Sequence, residues 1–218
     1  MKRLYSKAIL VAAALITSMG VCNAQDNKVI IAPFAGYRLG GDLTTDFGGG
    51  DVSIEDSVSY GVKISFPIHS VNAFVEDTEV ELIYSRQDSE ISGESFGVTD
   101  VDFAIDNFLI GVKYHFYEEA LFESPWIKPY ASGDVGFTRF SSSDGDVEED
   151  LAFALAGALG TDFYIGEHFG IFVDAAIYGS FVSSGSGAVC SSGRGCAFVF
   201  DGSSFWQGQF SVGALIRF

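Results

Sequence analysis

The chain has 218 residues, 48% of them apolar and 15% aromatic, with 26 glycines and 21 phenylalanines. Twelve Lys and Arg stand against 29 Asp and Glu, a formal net charge of −17. So acidic a surface excludes nucleic acid as a partner, because the phosphates would be repelled.

Met1-Lys2-Arg3 and Lys7 give the chain a basic start, Ala8 to Ile16 follow as an unbroken apolar run, and Cys22-Asn23-Ala24 places small residues at the −3 and −1 positions. That order predicts a secretory signal over residues 1–24, cleaved after Ala24. The run is too short to span a membrane, which takes about 20 residues. Val21 is too bulky for a lipoprotein site at Cys22. The domain is therefore expected over residues 25–218, with nine Lys and Arg against 29 Asp and Glu and a formal charge near −20. No later segment approaches the 18 or more consecutive apolar residues of a membrane helix. A secreted, apolar chain without spanning helices points to a closed β-barrel, the other structure that satisfies every backbone group in lipid.

The elements bear this out in order. Val29 to Arg38 reads as a first strand whose phase is blurred by Pro33, and Leu39–Asp56 as a Gly-rich acidic loop. Ser57 to Phe66 alternates strictly: Val58, Tyr60, Val62, Ile64 and Phe66 on one face, Ser57, Ser59, Gly61, Lys63 and Ser65 on the other. A barrel strand shows this period of two, apolar toward lipid and polar or small toward the lumen, whereas a helix groups apolar residues three and four apart. Thr78 to Gln87 turns Val80, Leu82 and Tyr84 outward and Glu79, Glu81 and Ser85 inward. After an acidic loop over Asp88–Asp102, the stretch Asn107–Phe116 sets Phe108, Ile110, Val112, Tyr114 and Phe116 against Asn107, Leu109, Gly111, Lys113 and His115. Ile127 to Phe140 turns Lys128, Ser132, Asp134 and Thr138 inward. A third acidic loop, Ser141–Asp150, leads to Leu151–Ile165, where Leu151, Phe153, Leu155, Leu159 and Phe163 face lipid and Ala152, Ala154, Ala156 and Gly160 line the lumen. Ile171 to Val182 places Asp174 inside. Trp206 to Phe218 closes the count at eight, with Gln207, Gln209, Ser211, Gly213, Leu215 and Arg217 inward. An even count is what single-chain bacterial barrels have. Pro67–Asp77, Tyr117–Pro125 and Gly166-Glu167-His168 are the expected periplasmic turns.

Cys190 and Cys196 lie in the fourth outer loop, Ser183–Gly202, and with Cys22 removed they are the two cysteines of an exported domain, which favours a disulfide that presents Arg194 at its tip. The inward charges are Lys63, Lys113, Lys128 and Arg217 against Glu79, Glu81, Asp134, Asp162 and Asp174. Isolated charges in a barrel this narrow are costly, so they are expected to pair, with Lys63, Glu81 and Lys113 in one network. The paired lumen is either a polar core that holds the barrel shut or a gate whose ion pairs exchange to open a narrow pore.

Ser211-x-Gly213-x-x-Ile216-x-Phe218 looks like the terminal signal read by the barrel-assembly machinery. With the eight alternating segments, and with Pro129-Tyr130 followed by Gly133 and Gly136, the mature chain resembles the small eight-stranded outer-membrane barrels: the OmpA transmembrane domain, OmpX, Ail and the opacity-type proteins. The resemblance implies an antiparallel up-and-down barrel in the bacterial outer membrane, surrounded by lipopolysaccharide. The acidic loops suit Ca²⁺ or Mg²⁺, ions that bridge lipopolysaccharide phosphates, although Asp144-Gly145-Asp146 lacks the other ligands of a defined calcium loop. No resident metal, cofactor or catalytic group is expected. Some small barrels modify lipid A with a His near Ser and a carboxylate, but the histidines here are His69 and His168 in turns and His115 in the lumen, with no His-x-Ser or Gly-x-Ser-x-Gly arrangement. The leading expectation is a non-enzymatic envelope or surface-binding protein, an adhesion-like role carried by the outer loops. A narrow pore for ions or small hydrophobic solutes is the alternative, and a lipid A-modifying enzyme comes third.

Overall fold

A computed structural model describes residues 29–40, 42–44, 51–68, 78–93, 98–116, 126–142, 150–181, 188–191, 195–199 and 204–218. The export signal expected over residues 1–24, His69, Arg194, all of Tyr117–Pro125 and most of Pro67–Asp77 lie outside these residues.

Eight long strands close the barrel: β1 (Ile30–Arg38), β4 (Ser57–Ile68), β5 (Thr78–Gly93), β6 (Val98–His115), β7 (Ile127–Ser142), β8 (Asp150–Ile165), β9 (Phe169–Phe181) and β12 (Ser204–Arg217). Each pairs antiparallel with the next, β12 returns to β1, and β5 with β6 completes the ring. Four short strands stand outside it: β2 (Asp42–Thr44) with β3 (Asp51–Ile54), and β10 (Ala188–Ser191) with β11 (Gly195–Val199). The even count and the chain order put both ends of the described barrel on the same side.

Burial follows the pleat. Val58, Tyr60 and Phe66 of β4, Ile110, Val112 and Tyr114 of β6, and Ile171, Val173 and Ile177 of β9 face outward and are exposed, whereas Ser59, Lys63, Ser65, Leu109, Lys113, Phe172, Asp174 and Ala176 on the alternate positions are buried. Apolar side chains exposed over a whole closed wall make sense in lipid and not in water. Aromatic residues gather at both ends of that wall, with Tyr37, Tyr60, Phe137, Phe153 and Trp206 near one rim and Tyr114, Phe116, Trp126, Phe169 and Phe218 near the other. Phe108 to Phe116 is nine residues, within the roughly 9–11 that a tilted strand needs to cross.

Three expectations change. The phase of β1 is clean: Ile30, Ala32, Phe34 and Arg38 are buried and Pro33 faces out. Pro33 leaves its mark on pairing instead. The register with β12 holds at Ile30 and Ile31 and resumes at Phe34, while the register with β4 is continuous. The Pro33 carbonyl lies on the β12 side, toward Gly213, so its missing N–H falls in the β1–β12 ladder. Second, Asp88–Asp102 is largely strand. β5 runs on to Gly93 and β6 starts at Val98, with Asp88 opposite Ala104 and Glu90 opposite Asp102. The charged side chains hid an extended hairpin, because strand pairing above a membrane needs no apolar face. Third, Leu39–Asp56 and Ser183–Gly202 are not continuous loops but hold the hairpins β2–β3 and β10–β11, and β3 pairs with β5 at Ser53–Ser92 and Ile54–Ile91. The tight turn Gly166-Glu167-His168 is as expected, with Gly166 at φ 82°, a conformation glycine adopts without steric cost.

Candidate functional site: the charged lumen

The inward faces of all eight strands meet in a filled interior, as an eight-stranded circumference dictates. Its charged groups form three layers.

The central layer is built on Lys63. Its Nζ donates to Asp174 Oδ2 at 2.6 Å and lies over the rings of Phe172 and Phe34, 4.8 and 5.8 Å from their centroids. Tyr130 Oη donates to the same Asp174 oxygen at 2.9 Å. Glu81 and Asp134 share the layer. Glu81 is opposite Gly111 on β6, Gly111 is opposite Asp134 on β7, and Asp134 Oδ1 leans over Gly111, where a Cβ would meet it. Ser65 donates weakly to Glu81 at 3.5 Å and Ser132 to Asp134 at 3.2 Å.

Nearer the end that carries the Gly166-Glu167-His168 turn, Lys113 Nζ donates to Asp162 Oδ2 at 2.6 Å, lies 4.0 Å from Glu79 Oε2 and sits over the Tyr130 ring. His115 Nε2 is 3.0 Å from the same Asp162 oxygen, and Tyr164 Oη donates to it at 3.4 Å. Arg217 and Lys128 lie over the Tyr164 ring, at 4.2 and 5.9 Å.

Toward the outer end, Arg38 Nε donates to Gln209 Oε1 at 2.7 Å and Nη2 to Ser85 Oγ at 3.1 Å, with the guanidinium 4.3 Å from the Tyr178 ring centroid. Neutral groups extend this layer: Ser59 donates to Gln209, Gln209 to Ser211, Gln207 to Gln87, and Thr138 to Asn107.

The nine charged residues expected in the lumen lie at inward positions of the strands. Lys63 is within electrostatic reach of Glu81, but its direct ion pair is with Asp174. Lys63 of β4 reaches Asp174 of β9, three strands round the ring, while Lys113 of β6 meets Asp162 of β8, one strand beyond its neighbour, and Glu79, its cross-strand partner on β5. A narrow lumen lets long side chains reach past the adjoining strand. Arg38, Tyr130, Tyr164 and Tyr178 were missed as members of the core. For Arg38 the signal was its even spacing from Ile30 and Phe34, obscured by Pro33. Glu79 Oε2, Glu81 Oε1, Asp134 Oδ1, Asp162 Oδ1 and Asp174 Oδ1 are buried without a hydrogen-bond donor, as is Arg38 Nη1 without an acceptor.

His115 is buried in the lumen against Asp162 and the Tyr130 ring, away from the lipid boundary where a lipid-modifying histidine would be needed. His168 is in an exposed turn. Among the described residues, no group of three His, Cys, Asp or Glu is arranged to hold a metal ion. Of the terminal motif, Ser211 is buried and accepts from Gln209, Gly213 leaves room for the Phe172 ring, and Ile216 and Phe218 point outward. Cys190 is directly opposite Cys196 in the β10–β11 register.

No family model matches the chain, and no curated protein does. Solved structures do match. Neisserial surface protein A is similar over 87% of this chain and 97% of its own, with 13% identity and a TM-score of 0.56. OprG, an outer-membrane protein of Pseudomonas aeruginosa, is similar over 88% and 96%, with 15% identity and a TM-score of 0.54. The closed ring of eight antiparallel strands, its apolar outer wall and these likenesses give the chain the fold of the small outer-membrane barrels.

Proposed function

We propose that the chain is a non-enzymatic envelope protein, a plugged barrel that holds outer segments for binding at the cell surface. The observation that carries this reading is the closed lumen: Lys63, Glu79, Glu81, Lys113, Asp134, Asp162 and Asp174 are 0–7% exposed, and aromatic and amide side chains fill the space between their layers. The outer segments support the second half. β5 runs seven residues beyond Arg86, to Gly93, a reach on the order of 20 Å along the strand, and β3 adds to that projecting sheet. With a formal net charge of −17, the partner that fits is cationic or is bridged by divalent ions.

A narrow gated pore is the second reading, favoured by the five lumen carboxylates that each hold one oxygen without a donor. Planar-bilayer conductance of the refolded protein, wild type beside Glu81→Ala and Lys63→Ala, separates the two. The plugged scaffold predicts no discrete openings in the wild type. Wild-type openings that change in size or frequency in the variants would replace it with the pore.

A further inference from the structure

The described strands carry their outward-facing charges in one place. Tyr60 of β4, Arg86 of β5, Asp106 of β6 and Arg139 of β7 are successive cross-strand partners on the outer wall. Arg139 donates to Asp106 Oδ2 through Nε at 3.2 Å and Nη2 at 2.7 Å, Arg86 Nη1 lies 3.7 Å from Asp106 Oδ1, and Tyr84 Oη donates to that oxygen at 3.0 Å. Asp88 completes the cluster, accepting from Arg86 Nε at 2.9 Å and from Tyr60 Oη at 3.2 Å. The other outward positions whose side chains are described on these strands are uncharged.

Immediately below runs an aromatic row. Tyr84, Phe108 and Phe137 are cross-strand partners, with ring centroids 5.1 Å apart at each step. A charge on the lipid face is tolerated near the interface and penalised deeper, so the charged row sits at the outer boundary of the hydrocarbon, level with the headgroups. Its internal order is unusual. Asp106, on the outer face, has a side chain 0% exposed, while the Arg86 and Arg139 side chains that cover it are 34% and 36% exposed. The buried aspartate thus lies between two partly exposed guanidiniums, hydrogen-bonded to Arg139 and in ion-pair range of Arg86. Paired planar guanidiniums suit phosphate oxygens, and the outer leaflet presents phosphorylated headgroups there.

We propose that Arg86 and Arg139, aligned by Asp106, bind the phosphate of an outer-leaflet lipid headgroup. Asp106 is a positioning residue in this site, and Asp88 competes with the phosphate for Arg86.

The test uses the full chain folded into phosphatidylcholine vesicles that carry, as a minor component, either diphosphoryl lipid A or its dephosphorylated form. After gentle extraction, the lipid A retained per protein is measured by mass spectrometry, and folding is checked by the heat-dependent gel mobility of the barrel. The wild type should retain the phosphorylated lipid preferentially. A surface arginine near headgroup phosphates is worth about fivefold in binding. Arg86→Gln and Arg139→Gln should each lose about that factor and the double variant about thirtyfold. Asp106→Asn keeps both charges but loosens their alignment, so it should also reduce retention, and Asp88→Asn should hold or raise it. Equal retention of the two lipids by the wild type would mean acyl-chain contact alone and would overturn the proposal. So would undiminished retention by a folded double variant or by either folded single arginine variant.

Discussion

Replacing Lys63 tests whether the central layer is held by charge pairing across the lumen. Lys63→Met keeps most of the side-chain volume against Phe34 and Phe172, so its loss is electrostatic rather than a cavity. It leaves Asp174 without its ammonium partner in a layer that also holds Glu81 and Asp134, three carboxylates in one buried section of the barrel. Removing one partner of a buried pair costs about 3–5 kcal/mol because the other charge is stranded, and two neighbouring carboxylates put this case at the upper end. Asp174→Asn is milder: Lys63 keeps Glu81 within electrostatic reach, and the amide still accepts from Tyr130. With a denaturant slope of about 2 kcal/mol per molar urea, Lys63→Met should lower the unfolding midpoint by about 2 M and Asp174→Asn by less than half of that. Urea titration in lipid vesicles, followed by tryptophan fluorescence and by gel mobility, reads both. The double variant should recover part of the loss, with a coupling of about 0.5–3 kcal/mol. A midpoint for Lys63→Met no lower than that of Asp174→Asn would refute the reasoning.

Two further outcomes follow from the geometry. Opposite residues of an antiparallel pair have Cα atoms about 4.5–5.5 Å apart, inside the range a disulfide spans, so Cys190 and Cys196 should resist thiol labelling in protein recovered from an oxidising compartment until reductant is added; quantitative labelling without reductant would rule the bond out. A Cβ at Gly160 would come within 2.6–2.7 Å of the Tyr130 ring and hydroxyl and of Asp174 Cβ, whereas one at Gly133 meets nothing within 4 Å. Gly160→Ala should therefore lower stability by about 1–3 kcal/mol and Gly133→Ala by no more than about 0.5 kcal/mol, and equal urea midpoints for the two variants would contradict this placement.

The barrel was legible in the sequence because lipid outside and a polar lumen inside impose opposite demands on alternate residues. Ser57–Phe66 and Asn107–Phe116 carry that contrast at nearly every position. Where the contrast ends, so did legibility: Asp88, Glu90, Glu94, Asp100 and Asp102 break the apolar alternation along Asp88–Asp102, and that paired stretch read as acidic loop. In the lumen, alternation identified the inward charges but not their partners. Pairing depends on which walls face each other across a narrow cylinder, and Lys63 with Asp174, 111 residues apart in the chain, leaves no trace in local spacing. Asp106 was hidden for a related reason. It sits in an outward position of β6, and its burial comes from two arginines on neighbouring strands.

Pro33 has a consequence for how the cylinder is made. Until β1 meets β12 the sheet is open, and these two strands, nearly a chain length apart, are its raw edges. An edge with a full row of donors and acceptors pairs with whatever strand it meets, including one from another copy or its own partner shifted by two residues. A proline in that row removes a donor and interrupts the template midway, so a slipped or foreign strand meets the gap at the wrong place. The native register sets the interruption beside Gly213, where the backbone can come close to Pro33. The finished seam gives up one hydrogen bond, and the unfinished edge is protected against partners that do not belong there.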